Sequence, residues 1–107
     1  MAHVAEVETL PGPRREDLRL EAVLQALGDP VRLTIVRTLN ETPGGQRACG
    51  TFGLPVAKST ASHHFRVLRD AGVIQQRAVG RERLTGLRRD DLDARFPGLL
   101  QSIVDTA

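Results

Sequence analysis

Residues 58–87 read KSTASHHFRVLRDAGVIQQRAVGRERLTGL and carry the strongest structural signal in the chain. The first part predicts a helix over residues 58–71. Gly72 ends this helix, because glycine readily adopts the left-handed conformation of a helix C-cap. The second part predicts two strands, residues 73–79 and 83–87, joined by a tight turn at Gly80. We therefore expect a helix followed directly by a β-hairpin.

The predicted helix has two faces of different chemistry. At about 100° per residue, its apolar side chains fall on one side, with His64 at the edge: Ala61, Phe65, Leu68 and Ala71. The other side is polar and carries Ser59, Ser62, His63, Arg66 and Asp70. Small hydroxyls in front of an arginine suit a helix that enters the major groove of DNA, because small residues let the backbone approach the base edges. The alternative is the solvated face of an ordinary surface helix.

Two helices are predicted before this segment. The first covers residues 16–27, where apolar residues recur at the three-and-four spacing of an amphipathic helix: Leu20, Val23, Leu24 and Leu27. The second covers residues 30–40. Asp29 can cap it, and Pro30 occupies the first helical position, where proline is accepted. A short third helix, weakened by glycines, is predicted over residues 46–54.

The chain is predicted to be helical again after the hairpin. Asp90 or Asp91 can cap this segment, which is interrupted at residues 96–98. It then resumes with an apolar stripe that predicts a dimer interface or packing on the chain's own core: Leu99, Leu100, Ile103 and Val104.

Residues 1–15 contain the breakers Pro11, Gly12 and Pro13 and are expected to form a flexible arm before a single domain of residues 16–107. Four helices, a basic hairpin and a last helix are the order of a winged helix-turn-helix.

The composition of the 107 residues is that of one soluble globular domain, with 40% hydrophobic and 26% charged residues. No apolar run is long enough to span a membrane and no secretory leader is visible, so we expect a cytoplasmic protein without a membrane partner. A single cysteine excludes an intrachain disulfide framework. Without Trp or Tyr, the chain lacks the aromatic platforms on which readers of single-stranded nucleic acid stack bases.

Basic residues are concentrated in one part of the chain. Residues 58–89 carry eight basic and two acidic residues, a net charge of +6, whereas residues 1–57 and 90–107 have net charges of −1 and −3. Fourteen of the fifteen basic residues are arginine, which suits bidentate contacts with phosphate and guanine. This distribution indicates a nucleic-acid-binding surface, although an Arg-rich hairpin alone can also be a solvated edge that resists aggregation.

The helix and the hairpin together predict contacts with double-stranded DNA. Five helix residues are expected to read or orient on the major groove: Ser59, Thr60, Ser62, His63 and Arg66. Phosphate or minor-groove contacts are expected from the first helical turn and from the hairpin: Lys58, Arg77, Arg81 and Arg83. His64 is expected to pack beside the core.

Two segments resemble signatures of a known family. Residues 26–39, ALGDPVRLTIVRTL, are similar to the second-helix signature of the ArsR/SmtB family of bacterial winged-helix repressors. KSTASHHFRVLRDAGVI and GRERLTGL are similar to its recognition helix and wing. The resemblance covers about residues 20–90. It implies a homodimer that pairs through its first and last helices, binds a palindromic operator and represses transcription until an effector releases it.

The effector is not identified by the residues. Metal-sensing members of the family place several cysteines near the third helix, or histidine with carboxylates on the last helix. Here Cys49 stands alone and the last helix has no histidine, so neither a metal site nor a cofactor is expected. His63 and His64 are helix neighbours that point in different directions and cannot readily share one ion. The alternative interpretation is a metal or thiol-redox sensor that uses Cys49.

No catalytic residues are predicted. Ser59, Ser62 and His63 are close in sequence, but they lie on a convex helix face where no pocket is expected. The expected function is therefore that of a DNA-binding regulator rather than an enzyme. The alternative from another class is a winged-helix module that binds protein and has lost DNA binding.

Overall fold

The structure is a computed structural model and describes residues 7–106. Its helices and strands follow in the order β1 Val7–Thr9, α1 Leu20–Leu27, α2 Pro30–Glu41, β2 Gln46–Ala48, α3 Lys58–Ala71, β3 Ile74–Val79, β4 Glu82–Leu87, α4 Arg89–Arg95 and α5 Leu99–Thr106. The strands form one antiparallel sheet in the order β1-β3-β4-β2. α3 packs on β3 and α2 packs on β4. Helices on one small sheet confirm the predicted winged helix-turn-helix.

The core lies between the helices and the sheet. Its most deeply buried apolar side chains come from every layer: Val23, Ile35, Val36, Leu39, Leu68, Val73, Ile74, Leu92 and Leu100. Phe65 of α3 adds an edge-to-face contact with Phe52, at 5.1 Å between ring centroids. α3 is therefore seated on the core along one stripe, and its opposite side is left to solvent.

The predicted ends of α2 and α3 are confirmed by their caps. Asp29 accepts hydrogen bonds from the backbone N–H groups of Val31 and Arg32 at 2.9 and 3.1 Å. At the end of α3, Gly72 has φ +84°, the left-handed region that favours glycine. A Cβ at Gly72 would lie 2.1 Å from Cδ2 of Leu18. The position therefore has room for glycine alone.

β3 and β4 form the wing, with Val79 opposite Glu82 and a turn that contains Gly80, at φ +60°. Because side chains alternate along a strand, Gln76 lies on the face of the wing that is turned toward α3, whereas Arg77 lies on the outer face. Cross-strand partners share a face, so Arg83, opposite Ala78, also lies on the α3 side.

The predicted third helix, residues 46–54, is wrong. The structure has strand β2 there, followed by the short 3₁₀ helix Cys49–Thr51. β2 pairs with β4, where Gln46 lies opposite Gly86. A Cβ at Gly86 would approach the carbonyl oxygen of Gly45 to 3.3 Å, so the missing side chain lets the two strands come close. The pairing with a distant strand prevails over a weak local preference for helix.

The two ends of the described chain also differ from expectation. Val7–Thr9, inside the predicted flexible arm, is strand β1 and pairs antiparallel with Val79–Arg77 of β3. Residues 1–6 of that arm lie outside the described residues, and the division of the chain at residue 15 stays a prediction. Arg88, rather than Asp90 or Asp91, precedes the first residue of α4 and makes no side-chain cap.

The apolar stripes of α1 and α5 are only partly covered. In α1, Val23 and Leu27 are buried, but Leu20 and Leu24 are 45% and 47% exposed. In α5, Leu100 packs into the chain's own core, while Leu99, Ile103 and Val104 are half-buried against it. None of the helices in residues 7–106 has both the length and the apolar composition to cross a membrane.

Candidate nucleic-acid interface

A cleft of about 1120 Å³ separates α3 from the wing, and we call it the wing cleft. One side is formed by α3 and the other by the turn of the hairpin. Its charged lining residues are Lys58, Arg66, Arg69 and Asp70 of α3, and Arg81, Glu82 and Arg83 of the wing. Five cations thus face two carboxylates. A concave surface with an excess of positive charge concentrates its field on the space that it encloses.

Three of the predicted helix residues line the wing cleft, namely Lys58, Ser62 and Arg66. Arg66 is 73% exposed in its side chain and lies 3.8 Å from the carboxylate of Asp70. A pair this exposed contributes little to stability, so the guanidinium is free to take another anionic partner at small cost.

The other predicted helix residues lie on the solvent side of α3, outside the lining of the wing cleft: Ser59, Thr60 and His63. They occupy the first half of the helix, where the N-cap residue Ala57 offers no side-chain hydrogen bond to the first N–H groups. Short polar side chains at this end leave the backbone accessible, as a helix that enters a groove requires. His64, predicted to pack beside the core, is buried.

The three predicted wing arginines fall into two groups. Arg81 and Arg83 are exposed and line the wing cleft. Arg77 lies on the outer face of the wing and donates a 2.7 Å hydrogen bond to the side-chain oxygen of Gln46 in β2. The fold therefore brings Arg81 and Arg83 together with α3 and directs Arg77 elsewhere.

Sequence reasoning missed a polar network at the floor of the wing cleft. Arg69 of α3 donates to the side-chain oxygen of Gln76, at 2.7 Å. The amide nitrogen of Gln76 then donates to Oγ1 of Thr85 and to Sγ of Cys49, each at 3.0 Å. Gln76 and Thr85 are 1% and 0% exposed. The alternation of β3, which buries Ile74 and therefore Gln76, is the signal that could have found this residue.

Cys49 is half-buried at the edge of this network and also lines the wing cleft. Its Sγ lies 3.2 Å from Oγ1 of Thr85, close enough for a hydrogen bond in either direction. Within residues 7–106, no three metal-ligating side chains are grouped so that they could hold an ion. The contacts that the structure shows for the Cys49 thiol are hydrogen bonds with Thr85 and Gln76.

The chain resembles known regulators of transcription. Residues 29–76 match the family described as bacterial regulatory protein, arsR family. The chain is 37% identical over 83 residues to an uncharacterised HTH-type transcriptional regulator, YceK, of Bacillus subtilis. The aligned residues make up 76% of this chain and 82% of that protein. This chain is 36% identical over 59 residues to another such regulator, MJ1325, of Methanocaldococcus jannaschii, covering 54% and 65%. The residues matched to the family contain α2, β2, α3 and the first residues of β3.

Proposed function

The chain belongs to the arsR family of bacterial regulatory proteins and is a DNA-binding transcriptional regulator, and we propose that it is a cytoplasmic homodimeric repressor of a palindromic operator. The observation that supports this proposal is the wing cleft, where cations of α3 and of the wing face the same space. An effector of unknown chemistry releases the DNA. The family and the names of the relatives describe regulators of transcription rather than enzymes.

In this proposal α3 is the recognition helix and lies in the major groove. Its polar side reads or orients on the bases through Ser59, Thr60, Ser62, His63 and Arg66. Lys58, Arg81 and Arg83 neutralise phosphates on the two sides of the wing cleft, which suits the passage of a DNA backbone between helix and wing. Arg77 has a lesser role at the outer face, because its guanidinium already has a partner in Gln46.

The partly covered stripes of α1 and α5 support a homodimer. Between α1, α2 and α5 lies an open groove of about 420 Å³, with Leu24, Leu27, Leu33 and Ile103 among its lining residues. Half-exposed Leu20 continues the apolar surface of α1. Covering these side chains in a two-fold dimer removes apolar surface from water, and it places two copies of α3 in successive major grooves about 34 Å apart.

The proposal is tested by selecting the duplexes that the full chain binds from a random pool at low salt. We expect enrichment of an inverted repeat with half-sites centred about one helical turn apart. The control is a chain that carries both Arg66→Ala and Arg81→Ala. Duplexes that this variant still retains are bound independently of the interface. Enrichment of an unsymmetrical site would contradict the homodimer. Failure to bind any duplex at low salt would favour the protein-interaction module instead.

A second candidate function, thiol-based release, is favoured by the hydrogen bond from Gln76 to Sγ of Cys49. A peroxide would oxidise the thiolate to a sulfenic acid and would itself be reduced to water. The added oxygen alters the hydrogen bonds that Sγ makes with Gln76 and Thr85, and Gln76 in turn holds Arg69 of α3. Peroxide should then release DNA from the native chain but not from Cys49→Ser. Equal release from both would exclude this function, since Cys49 is the only cysteine.

A further inference from the structure

Arg32, in the first turn of α2, connects three helices through one guanidinium. Its Nε donates to the carbonyl oxygen of Ala26 in the last turn of α1, at 2.6 Å. One terminal nitrogen lies 3.5 Å from the carbonyl oxygen of Gln25, and the other lies 3.2 Å from Nδ1 of His64 on α3. The residue therefore closes the C-terminus of α1 and at the same time holds the recognition helix.

The ring of His64 is enclosed by a small set of charged and titratable groups. Arg32 and Asp29 face it from α2 and from the cap of α2, where Oδ2 of Asp29 lies 3.8 Å from Nδ1. His63, on the same helix, has its ring centroid 5.9 Å away. His64 itself is 9% exposed. A change of charge on this ring is therefore felt mainly by Arg32 and Asp29.

The contact between Arg32 and His64 requires a neutral ring. Arginine only donates and does not lose its charge in proteins, so Nδ1 must be the acceptor and must carry no proton. The pKa of Asp29 is held below its usual value, chiefly by the hydrogen bond from the backbone N–H of Arg32, so this carboxylate is charged wherever histidines titrate. A proton on Nδ1 removes the acceptor of Arg32 and directs the ring toward Asp29 instead.

We propose that Arg32 is a positioning residue for DNA binding, which sets α3 relative to α1 and α2 through neutral His64. The inference rests on the proposed function, in which α3 enters the DNA. Arg32 thus connects α1, which carries the half-exposed Leu20 and Leu24, to α3. We call the contacts of Arg32 with Ala26 and His64 the polar joint. DNA affinity therefore falls when His64 gains a proton, because the joint opens on the α3 side while Arg32 stays bonded to α1.

The first measurement uses the free chain, so that it does not depend on DNA. Nitrogen chemical shifts of the His64 ring and of the Arg32 guanidinium are followed by NMR from pH 8 to pH 5.5. We expect Nδ1 to be the unprotonated nitrogen of the neutral ring, and the guanidinium signals of Arg32 to shift together with the ring, because this contact is the one that a proton on Nδ1 breaks. Guanidinium signals that do not follow the His64 ring would overturn the joint, whatever the DNA experiments give.

The second measurement is the affinity for the selected operator over the same pH range at constant salt. The native chain should lose about fivefold or more in affinity at low pH, the lower end of typical coupling between sites. His64→Asn should be insensitive to this titration, because the asparagine oxygen can replace Nδ1 as the acceptor but takes up no proton. His3→Asn is the control, because it removes a histidine to which no role in DNA binding is assigned, and it should keep the loss at low pH.

The outcomes separate this inference from the proposed function. Parallel pH profiles for the native chain and His64→Asn would overturn the positioning role while DNA binding stands. Absence of DNA binding at any pH would refute the proposed function, and the NMR titration would still decide about the joint. Arg32→Lys gives an independent variant, since a single ammonium cannot span Ala26 and His64. It should bind DNA more weakly at pH 8 and show a flattened pH profile, and a native-like profile would count against the proposal.

Discussion

Arg69 of α3 and Gln76 of β3 are joined by a hydrogen bond of 2.7 Å at the floor of the wing cleft. Gln76 also donates a hydrogen bond to Thr85 in β4, so α3 is linked to both strands of the wing. Gln76 and Thr85 are shielded from water, where a hydrogen bond favours one arrangement of its partners over others. The angle between α3 and the wing therefore depends in part on hydrogen bonds at the floor of the wing cleft.

Gln76→Leu should lower the free energy of unfolding by about 1–3 kcal/mol, because it leaves the guanidinium of Arg69 without its buried acceptor. Gln75→Leu is the matched control, since Gln75 is the exposed neighbour on the same strand. Urea unfolding followed by circular dichroism measures both. Equal losses in the two variants would show that the network has no special role in stability.

Arg81→Ala should weaken binding to the operator and to random duplex by the same factor, and should reduce the slope of log affinity against log salt by about one. The reason is the loss of one phosphate contact at the tip of the wing. Arg77→Ala should change the slope less, because Arg77 is bonded to Gln46 on the outer face. Titrations at several salt concentrations measure the slopes. An unchanged slope in Arg81→Ala would remove this residue from the DNA contacts.

Ser62→Ala and Arg66→Ala should change which bases are preferred rather than weaken all duplexes equally. A lost hydrogen bond to a base edge costs about 1–3 kcal/mol in discrimination at that base pair. The measurement is the affinity for the selected operator and for its single-base variants. A substituted chain that ranks these variants as the native chain does has lost no base contact, and the residue is then a phosphate contact at most.

Leu24→Glu should convert the proposed homodimer to a monomer, because it places a charge in the apolar groove at a position that is 47% exposed in the protomer. The protomer itself should stay folded for the same reason. Gln25→Glu adds a charge to the next residue of α1, which is outside the groove lining, and should leave the dimer intact. Sedimentation velocity distinguishes the two. A dimer in both variants would locate the interface elsewhere.

Asp91 should make stability dependent on acid. Arg15 and Arg88 donate to its two oxygens at 2.7 and 2.9 Å. The pKa of Asp91 is lowered, chiefly by the hydrogen bond from Arg15, so its folded value lies below its unfolded value of about 3.9. Its stabilisation is thus complete above about pH 4 and is lost as the pH falls through the folded pKa.

Asp91→Asn should therefore be less stable than the native chain by about 1 kcal/mol at pH 7, a value appropriate to a partly exposed charged hydrogen bond. The difference should disappear in strong acid. Thermal unfolding between pH 7 and pH 2 measures it, with Asp93→Asn, an exposed residue of the same helix, as the control. A constant difference at all pH values would mean that Asp91 acts through packing instead.

The elements with local signals were mostly predictable, but α1 begins at Leu20 and not at residue 16, because Leu18 and Arg19 are extended and separate it from a short 3₁₀ helix, Arg15–Asp17. α3 begins and ends where the sequence indicates, because an apolar stripe and Gly72 are sufficient to define it. β2 was missed because its strand conformation depends on pairing with β4, almost forty positions further along the chain, and β1 was missed because it depends on β3. A segment of three residues is too short to show the alternation of apolar and polar residues that predicts a strand.

The site was predictable where it depends on the face of a helix. The exposed side of α3 follows from its period, and Ser62 and Arg66 lie on it as expected. The hairpin arginines all looked equivalent, since a one-residue difference decides the face on which a strand side chain lies. The pairing of Ala78 with Arg83 and of Arg77 with Leu84 shows that Arg83 lies on the cleft side of the wing and Arg77 on the outer side. Gln76 and Arg69 were missed because polar residue types are expected at the surface.

Gly72 has a consequence for the genetics of this protein. A side chain there would collide with Leu18 and approach Pro13, whose carbonyl oxygen is held by Arg88. In a screen for loss of DNA binding, substitutions at Gly72 would therefore be recovered beside substitutions that remove a DNA contact, although Gly72 is buried at the C-terminal end of α3. Suppressors should then arise at position 18 as smaller residues, with partial recovery, because the left-handed backbone at position 72 still disfavours a side chain. The pattern of second-site revertants, more than the loss of function itself, would distinguish a steric lesion from a lost DNA contact.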